Sequence, residues 1–113
     1  MQKTIIRIES DLAGDLSLKT LAEAQGINAS YLSSLFKKET GKTVTDYVNE
    51  KRLQQAARLL ATTRLQVQTV ALHCGIQDVN YFSKMFKKHL GKTPKAYRSE
   101  MQSRISTGKR NKA

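Results

Sequence analysis

Two segments of the chain, FKKETGKT at 36–43 and FKKHLGKT at 86–93, agree in six of eight letters. Gly-Lys-Thr is also how a nucleotide-binding loop ends, where backbone N–H groups wrap the phosphates and the lysine and hydroxyl complete the grip. That loop needs a second glycine five residues earlier, and those positions hold Phe36 and Phe86. Both are large and spaced as core residues. Each triplet therefore reads as a helix-ending glycine, a basic residue and the cap of the next helix, and a nucleotide-dependent enzyme is excluded on the same ground. His73, Cys74 and His89 do not supply the roughly four ligands at paired short spacings that zinc takes, so no metal and no cofactor is expected. No histidine has a carboxylate pattern around it to activate one of the many serines, and no catalytic residue is assigned.

The chemistry that remains is contact with a polyanion. Twenty Lys and Arg against nine Asp and Glu give a net charge of +11. Residues 1–35 hold three basic and four acidic side chains, net −1, and residues 36–113 hold seventeen and five, net +12. A charge excess concentrated this way points to a nucleic-acid partner rather than to general solubility. The candidate contacts lie around the duplicated segment. Periodicity gives Leu32, Leu35 and Phe36 as the core face in the first copy and Phe82, Met85, Phe86 and Leu90 in the second. Once that face is subtracted, Ser30, Ser33, Ser34 and Lys37 share one side of a helix in the first copy, and Asn80, Ser83, Lys84 and Lys87 in the second. Lys37, Lys38, Lys87 and Lys88 form the clustered cations that phosphates need. Asn80 can pair bidentately with adenine and Lys84 can donate to guanine O6 and N7 in a major groove. The three serines of the first copy are short and read more weakly.

These residues sit on elements that the repeat itself outlines. LSLKTLAEAQGI (16–27) lies over LQVQTVALHCGI (65–76), and NASYLSSLFKKETGKTVTDY (28–47) over DVNYFSKMFKKHLGKTPKAY (78–97). The offset moves from 49 to 50 at Gln77, an extra residue placed in a turn where insertion costs least. Each copy is a short helix, a turn containing Gly26 or Gly75, and a second helix capped by Asn28 or Asp78 and closed by Gly41 or Gly91, which is the helix-turn-helix pattern. Thr43 caps a longer helix over 44–62 with the apolar stripe Val44, Val48, Leu53, Ala56, Ala57 and Leu60. At about 1.5 Å per residue it is ~28 Å long, against ~34 Å between successive major-groove faces. Ile5, Ile8 and Leu12 outline a first helix, and Thr93 with Pro94 begins a last one carrying Tyr97 and Met101. The expected fold is all-α with seven helices, a tandem homeodomain-like arrangement. It comprises a first helix-turn-helix subdomain at 1–42, a linker helix at 43–62, a second subdomain at 63–101 and a basic frayed tail at 102–113.

Cys74 is the only cysteine, so no internal disulfide forms, and its apolar neighbours indicate a buried thiol. The absence of a signal-peptide core in MQKTIIRIES and of any long apolar stretch leads us to expect a cytoplasmic protein.

Laid out in full, ALHCGIQDVNYFSKMFKKHLGKTPKAYR (71–98) resembles the second helix-turn-helix of the AraC/XylS family of bacterial transcriptional regulators. Ala71, Gly75, Asp78, Asn80, Tyr81, Phe82, Ser83, Lys84, Phe86, Lys87, Lys88, Gly91, Thr93, Pro94, Tyr97 and Arg98 fit that pattern, and Ile76 replaces its usual aromatic. The first copy and YVNEKRLQQAARLL (47–60) fit the looser first half, so the likeness covers about residues 4–101. The resemblance implies sequence-specific binding of double-stranded DNA by one monomer, with both recognition helices in successive major grooves of an asymmetric site. It implies base-facing roles for Ser30, Ser33, Ser34, Asn80, Ser83 and Lys84, phosphate roles for the lysine pairs, and RNA polymerase as a further partner. Arg52 matches a family arginine that either grips DNA or pins helices. Family members commonly join this domain to a sensor or dimerisation domain, so the chain is either a stand-alone regulator or, as the abrupt start suggests, the C-terminal piece of a longer parent able to dimerise. The competing reading is a non-specific or architectural nucleic-acid-binding protein driven by the +12 portion alone.

Overall fold

A computed structural model describes residues 2–112, with side chains placed through Arg104. Seven helices follow one another among the described residues: α1 (Gln2–Ser10), α2 (Leu18–Ala24), α3 (Ala29–Thr40), α4 (Val44–Thr62), α5 (Val67–His73), α6 (Val79–Leu90) and α7 (Pro94–Lys112). Among the described residues there is no strand, so the all-α expectation holds.

Local chemistry sets most of the helix ends. Asn28 Oδ1 accepts from the N–H groups of Ser30 and Tyr31 at 2.7 and 3.3 Å, and Asp78 Oδ1 from those of Asn80 and Tyr81 at 2.9 and 3.2 Å. These bonds satisfy donors that a helix start leaves without an internal partner. Thr43 Oγ1 accepts from Asp46 N at 3.0 Å and Thr93 Oγ1 from Ala96 N at 3.1 Å, starting α4 and α7. Gly41 (φ 78°) and Gly91 (φ 79°) end α3 and α6 in the left-handed conformation, each N–H donating at 2.8 Å to the carbonyl of Lys37 or Lys87. A side chain there would crowd its own backbone, which is why glycine recurs. Ser17 caps α2, but its counterpart Gln66 makes no side-chain bond at the start of α5.

The chain forms two compact units, Met1–Arg52 and Leu53–Ala113. The division falls inside α4, whose first half closes one core and whose second half opens the other. In the first unit Ile8, Leu16, Leu21, Ala22, Leu32, Phe36, Val44 and Val48 are buried together. In the second unit Leu53, Ala56, Leu60, Val70, Ala71, Cys74, Ile76, Phe82, Met85 and Phe86 form the core. The thiol of Cys74 is wholly buried there, as its apolar neighbours suggest.

Each unit repeats the other's internal contacts. Phe36 meets Tyr47 edge-on at 5.3 Å and 79°, and Phe86 meets Tyr97 at 5.4 Å and 76°. The loop lysines Lys42 and Lys92 pair with Glu50 and Glu100 of the following helices. Arg52 donates from Nε to Leu12 O at 2.9 Å and from a terminal nitrogen to Gly14 O at 3.1 Å. Fifty residues on, Gln102 donates to Leu60 O at 3.3 Å and Thr63 O at 3.0 Å, and Arg98 Nε joins it on Leu60 O at 3.1 Å. In both units, a side chain of the closing helix holds the chain where it leaves the opening one.

That correspondence corrects the expected tail. Polarity alone suggests that order ends at Met101, yet α7 runs to Lys112. Gln102 belongs to the second unit's framework, because it supplies partners to carbonyls that the end of α4 leaves without intrahelical bonds. Ala113 lies outside the described residues.

Candidate nucleic-acid interface

The surfaces of α3 and α6 follow from what each helix buries. α3 turns Leu32 and Phe36 inward, and α6 turns Phe82, Met85 and Phe86 inward. With about 3.6 residues per turn, the opposite side must carry positions 30, 34, 37 and 38, or 80, 84, 87 and 88. Ser30, Ser34, Lys37 and Lys38 are exposed on α3, and Asn80, Lys84, Lys87 and Lys88 on α6. Ser33 and Ser83 are half-buried at the edge of the core, so of the ten expected contact residues these two are the least presented. Leu35, expected on the inner face, is also half-buried.

The two surfaces differ in charge. The first unit carries eight basic and seven acidic residues, net +1, and the second carries twelve and two, net +10. Acids in the first unit hold two of its cations: Lys42 is paired with Glu50, and Lys51 lies 3.4 Å from Glu9 and 5.4 Å from the centre of the Tyr47 ring. Lys37 and Lys38 are left as the exposed pair on α3. At the entry to α2, Asp15 accepts from Ser17 N at 3.0 Å and from Thr20 Oγ1 at 2.8 Å. The backbone bond from Ser17 and the hydroxyl of Thr20 hold its carboxyl below the usual carboxylate range. The repeat sets Arg64 at the corresponding position, so one substitution alone moves the local charge difference by two.

Arg52, which the sequence leaves between two roles, is engaged by the Leu12 and Gly14 carbonyls inside the first unit, beside a cleft of about 270 Å³ also lined by Thr45 and Asn49. This geometry matches the pinning role. Two further residues, aromatic rather than charged, also stand out on these helices. Tyr31 and Tyr81, identical in the aligned copies, are 58 % and 54 % exposed on α3 and α6. Their identity across copies was the available signal. Among the described residues no group of three His, Cys, Asp or Glu is gathered to hold a metal, and no helix is long and apolar enough to cross a membrane.

A family model described as "Helix-turn-helix domain" matches residues 21–100. The chain is 35 % identical over 100 residues to the uncharacterized HTH-type transcriptional regulator YobQ of Bacillus subtilis, a match covering 88 % of this chain and 42 % of YobQ. It thus spans less than half the length of that relative. Among solved structures, the DNA-binding domain of AdpA, a global transcriptional factor in complex with a target DNA, superposes with a TM-score of 0.87 at 26 % identity, covering 91 % of this chain and 93 % of that one. A Chromobacterium violaceum transcriptional regulator described as an AraC-type DNA-binding domain-containing protein gives 0.81 at 27 % identity, covering 88 % and 89 %. The duplicated caps, the paired cores and these likenesses agree, and the chain belongs to the AraC/XylS family of transcriptional regulators, corresponding to its paired helix-turn-helix domain.

Proposed function

We infer that the chain binds double-stranded DNA sequence-specifically to regulate transcription, with α3 and α6 each entering a major groove and the two grooves successive along an asymmetric site. The observation that carries this reading is the pairing of two helices with matched caps and cores but different outward residues: Ser30 and Ser34 on one, Asn80 and Lys84 on the other. Matched scaffolds keep the docking geometry, while divergent readers demand different base pairs in each half-site. AdpA, whose DNA-binding domain has this fold, was solved on its target DNA. Base contacts are assigned to Ser30, Ser33, Ser34, Asn80, Ser83 and Lys84, with the half-buried Ser33 and Ser83 contributing least. Phosphate contacts are assigned to Lys37, Lys38, Lys87 and Lys88. On this reading the domain works in the cytoplasm as a monomer, has no catalytic role and meets RNA polymerase at the promoter.

The net charge of +10 on the second unit favours one competitor, a non-specific architectural binder. Selection from random duplexes separates the two. The expected outcome is one asymmetric site of about two helical turns, on which Asn80→Ala and Lys84→Ala each cost roughly 1–3 kcal/mol of discrimination, more than Ser30→Ala, Ser33→Ala or Ser34→Ala. If no sequence is enriched and affinity follows salt alone, the architectural reading replaces this one.

A further inference from the structure

Four large apolar side chains are exposed among the described residues, and two of them are Tyr31 and Tyr81, on α3 and α6. Scattered surface apolar residues need no explanation, but this pair is not scattered. Each tyrosine is the third residue of its helix, and each N–H donates to the capping Asn28 or Asp78. Each lies one turn before the outward reader (Ser34 or Lys84) and two turns before a lysine (Lys38 or Lys88), along one exposed stripe. The cores are complete without the rings, and among the described residues neither ring has an aromatic or side-chain hydrogen-bonding partner. The outward polar positions next to them have diverged, Ser30 to Asn80 and Ser34 to Lys84, while the tyrosine is the same in both copies.

On the reading that α3 and α6 enter major grooves, we propose that Tyr31 and Tyr81 are specificity-determining residues that read the 5-methyl group of a thymine, one in each half-site. The N-terminal residues of a recognition helix are those that reach base edges, and the thymine methyl is the apolar feature of the major-groove floor that an aromatic ring can cover. A phenol ring extends well beyond a serine hydroxyl, so on α3, where the polar readers are short, the ring provides the longest contact near the helix start. Because the same side chain stands at the same helical position twice, the otherwise dissimilar half-sites share one element: a thymine at equivalent places about 10–10.5 base pairs apart.

The experiment uses the whole chain and the duplex selected from a random library. Each thymine is replaced in turn by deoxyuridine, which removes only the methyl group, and binding is measured for the parent chain and for Tyr31→Ala, Tyr81→Ala, Tyr31→Phe and Tyr81→Phe. One deoxyuridine in each half-site is expected to weaken the parent about fourfold, the equivalent of one buried methyl. That penalty disappears with Tyr31→Ala in one half-site and Tyr81→Ala in the other, and survives in both phenylalanine variants, which also report that the helices still fold. Indifference to deoxyuridine at an enriched site overturns the tyrosine assignment alone, as does a penalty that persists in the alanine variants or vanishes in the phenylalanine ones. Absence of any enriched site overturns this proposal and the sequence-specific reading together.

Discussion

Replacing Arg52 with alanine separates a residue that builds the fold from one that touches DNA. Its guanidinium donates to Leu12 O at 2.9 Å and to Gly14 O at 3.1 Å, both on the segment joining α1 to α2. Hydrogen bonds from a charged donor contribute about 1.5–3 kcal/mol each when well desolvated. Arg52, Leu12 and Gly14 are only half-buried, so water can satisfy both carbonyls after truncation, and we place the total for the pair at about 2 kcal/mol. With a urea m-value of about 1–3 kcal/mol/M, the unfolding midpoint should fall by roughly 1 M. Arg52→Gln should recover part of that loss, because glutamine at the corresponding position 102 performs the same task in the second unit. Measured on folded protein, the slope of log K against log salt should not change, since no phosphate contact has been removed. A variant of unchanged stability whose salt slope drops by about 0.9, the loss of one phosphate contact, would refute the pinning role and make Arg52 a DNA-gripping residue.

Three further outcomes follow from the same structure. Lys87→Ala with Lys88→Ala should lower the salt slope by about 1.8, at 0.9 per contact, and weaken binding equally on specific and random duplexes in a salt titration. Gly91→Ala should cost roughly 1–2 kcal/mol in chemical denaturation, because φ is 79° while nothing lies within 4 Å of the added methyl, leaving the backbone as the only source of strain. Asp15 stabilises the fold more when ionised, because its folded pKa lies below the ordinary 3.8. Its contribution is therefore present above 3.8 and is lost as pH falls through the lower folded value. Stability measured against pH should show a shallower acid limb for Asp15→Asn than for the parent chain.

The helix boundaries were legible because their causes are local. Asn28, Asp78, Thr43 and Thr93 each bond backbone N–H groups two or three residues away, and Gly41 and Gly91 are the residues that tolerate the conformation ending α3 and α6. The start of the middle helix at Val44 follows from Thr43 in the same way. The apolar periodicity of α3 and α6 likewise marked Leu32, Phe36, Phe82, Met85 and Phe86 for the interior, and the polar remainder as candidate readers.

Other features depend on residues far apart in the chain. Nothing within a turn or two of Gln102 shows that the carbonyls of Leu60 and Thr63 are its partners, so composition made residues 102–113 look like a loose end. Arg52 was ambiguous for the same reason, its acceptors lying 40 and 38 positions earlier. The division of α4 between two cores depends on which helices pack against Val48 and which against Leu53, and a continuous apolar stripe looks the same in either case. Exposure at the margins of a helix is decided by its neighbours: Ser33 and Ser83 are half-covered, whereas Tyr31 and Tyr81 are left in solvent. Periodicity and capping, which act over a few residues, were set by the sequence alone. The bonding partners of Arg52 and Gln102 and the outward faces of α3 and α6 were decided only when distant backbone and side chains were brought together by packing.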